Sequence, residues 1–254
     1  MKKLLPLFWF IFSTGSPCMG GDLSCQEITL DQLRKQVPIP PAEILSRREV
    51  NGVCEVILGI NGQYVPVYAG NDYVIAGEMF AKKQQITQSK IENLKAANFA
   101  RIIPEIDQCV AIIYKPREVK QTVYMVTDPL CPFCHSVEGN LQAFAEKYHA
   151  EFKILLYSVH PPVGRRKSVE AVCRDLNLKE YIEGKWQQDN NVNQCPEGED
   201  LIARTEGVIR QMGANGVPMF LFPNGQTIEG ANIEELEKVL SANGPNPEKV
   251  ALAK

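Results

Sequence analysis

The stretch Thr122-Val123-Tyr124-Met125-Val126-Thr127-Asp128-Pro129-Leu130-Cys131-Pro132-Phe133-Cys134-His135 decides the fold. Its first half, Thr122 to Thr127, is mostly apolar, as expected of a strand covered on both faces. Helical signals follow at once, because Val137, Leu141, Phe144, Ala145 and Tyr148 recur at the spacing of one helix face. A second buried strand is expected over Phe152 to Val159. Strand, helix, strand in that order is a βαβ unit, so the two strands should run parallel within an α/β layer.

A C-x-x-C pair at the point where a buried strand hands over to a helix has a chemical consequence. The first sulfur sits near free backbone N–H groups and the positive end of the helix dipole, which favour thiolate over thiol. Cys131 is therefore the expected nucleophile on a disulfide. Cys134, one turn along and deeper, is expected to attack the mixed disulfide and release it. Pro132 restricts the backbone between them, and Phe133 adds apolar surface beside the sulfur. Three other readings use the same residues. A plain structural disulfide needs no strand-then-helix placement. A zinc site lacks a second C-x-x-C or a spaced His pair, so neither metal nor cofactor is expected. Cys131-Pro132-Phe133-Cys134-His135 also fits C-x-x-C-H, the pattern for covalent haem attachment, but a preceding buried strand suits that badly.

Downstream, helical sections are expected over Ser168 to Trp186 and Leu201 to Met212, the latter stopped by Gly213. Arg165, Arg166 and Lys167 read as a solvated loop, and His149 and His160 as surface or loop residues. Gly216-Val217-Pro218 places a Pro at the opening of a strand after a Gly/Asn-rich loop, a candidate cis bond. Met219 to Phe222 and Thr227 to Glu229 flank a Pro223-Asn224-Gly225 hairpin, and Asn232 caps a last helix. Asp128 is a candidate to orient the loop before Cys131 or to accept a proton.

Upstream, a short helix over Thr29 to Gln36 must stop before Pro38. Val53 to Ile60, the Asn61-Gly62 turn, Tyr64 to Tyr68 and Tyr73 to Ala76 read as a three-strand meander. Pro66 implies an edge strand, or a position where no donor is needed. So small a meander buries little alone and should need a partner surface. Ser89 to Ile103 is helical in pattern and should end or kink at Pro104, making a connector.

Lys2 and Lys3, an apolar run from Leu4 to Phe12 and small residues to Gly21 describe a secretory signal. The apolar run falls well short of the ~20 residues that span a bilayer as a helix. Apolar residues are 44% of the 254, charged residues 22%, and the net charge is −3. That is an ordinary globular composition without a basic cluster, which speaks against a nucleic-acid partner. In an oxidising compartment the eight cysteines are disulfide candidates first. Cys25 and Cys54 lie in the same small domain and are candidates to bond. Cys109 is then the odd thiol, a buried apolar residue, with intermolecular pairing open for all three.

The run Thr127 to His135, with Gly216-Val217-Pro218 and Asn224-Gly225 downstream, resembles the DsbC/DsbG group of periplasmic disulfide isomerases within the thioredoxin-like superfamily. Gly77-Glu78-Met79-Phe80 resembles the end of that group's N-terminal module. The resemblance implies an α+β protein with a C-terminal thioredoxin-like α/β domain carrying a helical insert. It also implies a small N-terminal cystatin-like dimerisation domain and a helical linker. The expected boundaries are a signal peptide over 1–20, the dimerisation domain over 22–85, the linker over 86–108, the catalytic domain over 109–244 and a loose tail over 245–254. It further implies a homodimer acting on misfolded or reduced exported proteins, kept reduced by a membrane thiol reductase. Val217 and Pro218, with Pro132 and Phe133, would contact substrate, and Cys173 would pair with Cys195 in the insert. Two residues depart from the pattern. Isomerases of this group usually carry Thr where Val217 stands, as DsbA-type oxidases carry Val, and Phe133 replaces the usual Tyr. A dithiol oxidase or substrate reductase is therefore the alternative within the fold, and a chaperone-like binding protein the alternative outside redox chemistry.

Overall fold

The computed structural model describes residues 24–187, 194–214 and 216–243; the expected signal with Cys18, and the expected loose tail, lie outside them. Within the N-terminal part, Thr29 opens α1 (Leu30–Arg34) through a capping box. Its hydroxyl accepts the Gln32 N–H while the Gln32 side chain accepts the Thr29 N–H. Strands β1 (Glu43–Val50), β2 (Val53–Ile60), β3 (Gln63–Ala69) and β4 (Val74–Ala76) form one antiparallel sheet in that order. Two-residue turns at Asn51-Gly52 and Asn61-Gly62 join the first three strands, with φ positive at all four residues. That conformation matches the twist of the flanking strands and suits the Asn-Gly pair. One face of the sheet buries Val56, Leu58, Val67 and Ala69 against Ile28 and Leu33.

The expected three-strand meander is thus four strands wide, because β1 adds itself through the first Asn-Gly turn. Pro66 stands in an inner strand and not at an edge. Its carbonyl accepts the Gly77 N–H beyond the end of β4. A strand residue's N and C=O share one side, so the missing donor faces a place where β4 has already stopped pairing. A two-strand hairpin, β5 (Phe80–Ala81) and β6 (Gln84–Gln85), follows.

Helix α2 (Ile86–Asp107) runs on through Pro104 for most of another turn. One lost backbone bond is tolerated there because Phe99, Ile102 and Ile106 are buried in a core cluster with Tyr124, Val126, Leu155, Val208, Ile209, Met219 and Leu221. At its other end Thr87 is fully buried, its hydroxyl accepting the Met79 N–H and contacting the Tyr68 hydroxyl. The helix is held at both ends and belongs to both packed units.

The C-terminal unit is a five-stranded sheet in the order β11-β10-β8-β9-β7, from β7 (Ile112–Tyr114), β8 (Gln121–Thr127), β9 (Ala150–Leu156), β10 (Met219–Leu221) and β11 (Thr227–Glu229). β8 and β9 are parallel, while β7 pairs antiparallel to β9 and β10 antiparallel to β8. Side chains of β8 alternate between two cores. Tyr124 and Val126 face α2 and α7 (Pro196–Gln211). Val123 and Met125 face α3 (Pro132–Glu138), α4 (Leu141–Tyr148) and α8 (Ile233–Asn243). The single helix expected after Cys131 is two, divided at Gly139-Asn140. Arg165, Arg166 and Lys167 lie on α5 (Val163–Cys173) and not on a loop. Arg165 is paired to Glu199 and Glu206, and Lys167 to Glu170. Cys173 and Cys195 are disulfide-bonded, as are Cys25 and Cys54; Cys109 is free and buried.

The two units touch through backbone. Gly62 of the β2–β3 turn lies against Gly213 after α7, and Gln63 Nε2 donates to the Gly213 carbonyl at 2.8 Å. Gly225, at φ +81°, would put a Cβ 2.2 Å from the Ala96 Cα of α2. Gly225→Ala should therefore destabilise the protein by about 2 kcal/mol through left-handed backbone and overpacking together. A urea midpoint equal to that of the parent would show that α2 does not pack on this turn.

Candidate active site at the start of α3

Strand β8 ends at Thr127, and the chain turns through Asp128, Pro129 and Leu130 before α3 begins. Asp128 holds this turn. Its carboxylate is fully buried and accepts the N–H groups of Leu130, Val159 and His160, the Ser158 hydroxyl and a contact from His160 Nδ1 at 3.0 Å. His160, expected as a simple loop residue, is thereby half of a clamp between two loops. The Asp128 carbonyl accepts the Cys131 N–H at 3.0 Å, so the clamp reaches the reactive segment directly.

Cys131 is the residue preceding the first turn of α3, and Pro132 occupies the first helical position, where no backbone donor is needed. The carbonyl of Cys131 accepts the N–H groups of Cys134 and His135. Both cysteines are free thiols, and they are not equivalent. Cys131 retains 4% of its surface and Cys134 none. Cys131 Sγ lies 3.7 Å from the carbonyl of Val217, across from the cis peptide bond Val217–Pro218. Pro218 leads into β10, which pairs with β8 through Met219–Val126 and Phe220–Met125. Sheet pairing thus brings together two segments 86 residues apart. Outside them, Phe133 is 67% exposed and Pro132 is exposed, giving the pair an apolar rim.

Burial pushes the Cys134 thiol far above its ordinary range; the Cys131 thiol beside it adds to the rise, and the Thr127 side chain and Asp128 backbone oppose it. One turn farther along α3, Glu138 is 2% exposed and its carboxyl accepts the Thr127 hydroxyl at 2.6 Å. Its pKa is raised, chiefly by burial and further by the Asp128 charge, against the opposing pull of Thr127 and His135. Tyr181, on α6 (Leu178–Ile182), brings a buried hydroxyl to the same place, outside ideal hydrogen-bond geometry but close enough to Glu138 and Thr127 to interact with both. Burial and the nearby Glu138 and Cys134 raise its pKa well above the ordinary value. Glu138 and Tyr181 were not singled out from sequence. Glu138 stands at i+4 from Cys134, a spacing that puts both on one helix face, whereas nothing local marks Tyr181.

His135 Nε2 lies 2.8 Å from the Pro129 carbonyl and Cys134 is enclosed, an arrangement ill suited to covalent haem. Among the described residues no group of three or more His, Cys, Asp or Glu is arranged to hold a metal ion. No described helix is long and apolar enough to cross a membrane.

A family model described as a thioredoxin-like domain matches residues 110–243. The chain belongs to the thioredoxin-like family. No curated protein sequence matches it. Among solved structures, a linker-deletion variant of Proteus mirabilis ScsC is 14% identical, with a TM-score of 0.51 over 62% of this chain and 86% of that one. That likeness is one of fold. A thiol-disulfide exchange protein from Wolbachia pipientis is 10% identical (TM-score 0.49, 60% of this chain and 97% of that one). Helicobacter pylori DsbG is 15% identical (TM-score 0.42, 75% and 97%).

The raised pKa of the buried Glu138 predicts a destabilising contribution once its carboxyl ionises. A carboxyl whose folded pKa exceeds its unfolded one (~4.3) holds its proton more tightly in the native state. Its contribution is therefore fully present below the unfolded value and is lost as pH rises through the folded one. Glu138→Gln should raise Tm by about 3 °C at pH 7.5, with the gain shrinking toward pH 4. A Tm lowered more at pH 7.5 than toward pH 4 would show the carboxylate to be a net stabiliser.

Proposed function

We propose that this protein is a periplasmic thiol–disulfide isomerase that rearranges wrong disulfides in exported proteins. The observation that carries the reading is the asymmetry of the reduced pair. Cys131 keeps 4% of its surface and lies 3.7 Å from the Val217 carbonyl, and Cys134 has no exposed surface. An extended substrate chain can pair with the backbone at Val217 while its disulfide meets Cys131 and its apolar side chains meet Phe133 and Pro132. Cys131 thiolate attacks, a mixed disulfide forms, and the substrate's other sulfur leaves as thiolate. If that or another substrate thiol returns, the result is isomerisation. If Cys134 attacks, the substrate is reduced and Cys131–Cys134 becomes a disulfide. A membrane thiol reductase then restores it with two electrons.

Val217 favours a second reading, a dithiol oxidase, and the redox state of the pair in the cell separates the two. Mostly reduced thiols support isomerase or reductase, and a mostly oxidised pair supports oxidase. A Cys134→Ala variant should accumulate mixed disulfides with a scrambled-disulfide substrate. Cys131→Ala should form none and refold that substrate no faster than buffer. Full refolding activity in Cys131→Ala would overturn catalysis by this pair and leave a chaperone-like role.

The reading includes a homodimer through the N-terminal sheet. β4 is one of its two edge strands, and Tyr73 and Ile75 beside or on it, with Phe80 on the following β5, expose 43%, 57% and 66% of their surfaces. Such anchors are worth about 2 kcal/mol each when buried at an interface. The double variant Ile75→Asp with Phe80→Asp should run as a monomer in light scattering while Cys131 alkylates at the parental rate. A monomeric parent, or an unchanged dimer in the variant, would exclude this surface.

A further inference from the structure

The N-terminal sheet, α2 and the β10–β11 hairpin enclose a cavity of about 510 Å³, within the size range of ligand sites. Much of its lining is apolar. Ile91, Phe99 and Ile102 come from α2, Met212 from just beyond α7, and Met219 and Leu221 from β10. β11 contributes Thr227 and Glu229, and it is the last strand of its sheet. Register decides which of its backbone groups are free. Gly230 N–H donates to the Pro218 carbonyl and Phe222 N–H to the Gln226 carbonyl, so the ladder bonds fall on these pairs and on Phe220–Ile228 between them. In an antiparallel ladder the alternate residues turn their N–H and C=O groups away from the partner strand. Thr227 and Glu229 are those residues. Both are exposed, and among the described residues nothing pairs with their backbone. Their side chains share a face with Leu221 and Met219, their cross-strand partners, and so lie on the cavity side of the sheet. Two carboxylates belong to the lining, Glu229 and Glu78, and neither has a basic partner among the described residues; Glu78 accepts the Gln85 side-chain amide. The lining's ammonium, Lys95, lies 6.0 Å from the centroid of the Tyr64 ring and pairs with neither carboxylate.

We propose that the free edge of β11 captures an extended segment of an unfolded polypeptide, which adds to the sheet as a further strand and places alternate side chains in the cavity. The inference rests on the function proposed above only in naming that polypeptide as an exported substrate; the binding itself needs no thiol. Thr227 and Glu229 each offer the guest a donor and an acceptor two residues apart, the repeat of an extended chain. A guest residue opposite Thr227 sends its side chain into the apolar lining, where Met212 and Met219 adapt to varied shapes. A guest residue opposite Glu229 brings a lysine or arginine to that carboxylate, and Glu78 contributes a field of the same sign. An acidic guest would meet two uncompensated carboxylates instead. The preferred occupant is therefore a chain of alternating apolar and polar residues that carries a basic side chain. A folded protein keeps such stretches paired in its own sheets, so the edge selects chains that have not folded. β10, the strand that opens at Pro218, lies between β11 and β8, so a chain held here is tethered to the sheet that carries the reactive pair.

The test uses the full chain and a fluorescein-labelled nine-residue peptide that alternates valine with threonine, carries one central lysine and contains no cysteine. Fluorescence anisotropy should show saturable binding. Methylating the peptide's backbone nitrogens at alternate residues, in either phase, should abolish binding in the phase that faces β11 and spare it in the other. Glutamate in place of the central lysine should weaken binding about 10-fold. Thr227→Pro removes an outward-facing donor without touching the ladder to β10, a placement that edge strands accept, and should weaken binding about 10-fold. Glu229→Lys, an exposed change that keeps the fold independent of that proline, should abolish the preference for lysine over glutamate. No binding by the parent, equal binding of both methylated peptides, or parental affinity in Thr227→Pro would overturn strand pairing at this edge. An unchanged lysine preference in Glu229→Lys would overturn the placement of the guest beside that carboxylate. A dimer in light scattering that Thr227→Pro dissolves would put a second copy of the chain on β11 and overturn the peptide as its occupant. Because the probe lacks cysteine, loss of thiol exchange at Cys131 would leave these affinities unchanged, and the two readings fail separately.

Discussion

The structure depends on one strand being buried on both sides. β8 sends Val123 and Met125 into one core and Tyr124 and Val126 into the other, and all four are essentially without solvent contact. Burying four such side chains stabilises by several kcal/mol in area terms, about 1.5–3 kcal/mol each. More consequential is where it leaves the chain at its end. Thr127 and Asp128 emerge still buried, so whatever follows must begin inside the protein. α3 therefore starts with its first turn against the sheet, and a cysteine at its third position can only be enclosed. The difference in exposure between Cys131 and Cys134 is a consequence of that strand.

Enclosure creates a polar problem, and the fold answers it differently on the two sides of Cys131. Toward Asp128, the buried carboxylate is saturated by backbone and side-chain donors, so it acts as a fixed joint between the 127–131 turn and the 158–164 segment. Gly164 is part of that joint, since a Cβ there would fall 2.3 Å from Ser158 Oγ and 3.0 Å from Asp128 Oδ1. Toward Glu138, the buried carboxyl accepts the Thr127 hydroxyl, with the Tyr181 hydroxyl and the His135 side chain nearby. A satisfied buried polar network rigidifies, whereas a half-satisfied one carries a free-energy cost that persists where it serves a purpose.

How much of this was legible in sequence follows from how local each cause is. The β8–α3 junction reads directly, because an apolar run, a turn and a helix start are contiguous in the chain. The Asn61-Gly62 hairpin reads for the same reason. β1 was missed although Asn51-Gly52 carries the same turn signal. Its residues Arg47, Arg48 and Glu49 look solvated, and only across the sheet does Arg48 find the buried Glu55. The helix does not end at Pro104, because burial of Ile106, two residues farther on, outweighs the lost backbone bond. His160 and Tyr181 carry no local signature. Each acquires its role from a segment distant in sequence, His160 through Asp128 and Tyr181 through the pocket below Cys134.

The insert explains why Tyr181 arrives there at all. α5, α6 and the start of α7 form an excursion between β9 and β10. The Cys173–Cys195 bond closes a span of 22 residues at its base. In the chain-entropy picture a loop of that size is stabilised by roughly 3 kcal/mol. Gly198 lets the first turn of α7 sit on the bridge, since a Cβ there would fall 2.6 Å from Cys173 Sγ. Within the closed loop, Asn177 caps α6 by a reciprocal pair of bonds with Glu180, and Trp186 Nε1 donates to the Tyr181 carbonyl. Each of these contacts fixes a short helix that could not persist alone. Their joint effect is to seat one phenol over Glu138 and Cys134. The insert thereby covers Glu138 and Cys134, and the disulfide in it bears on the cysteine pair through position.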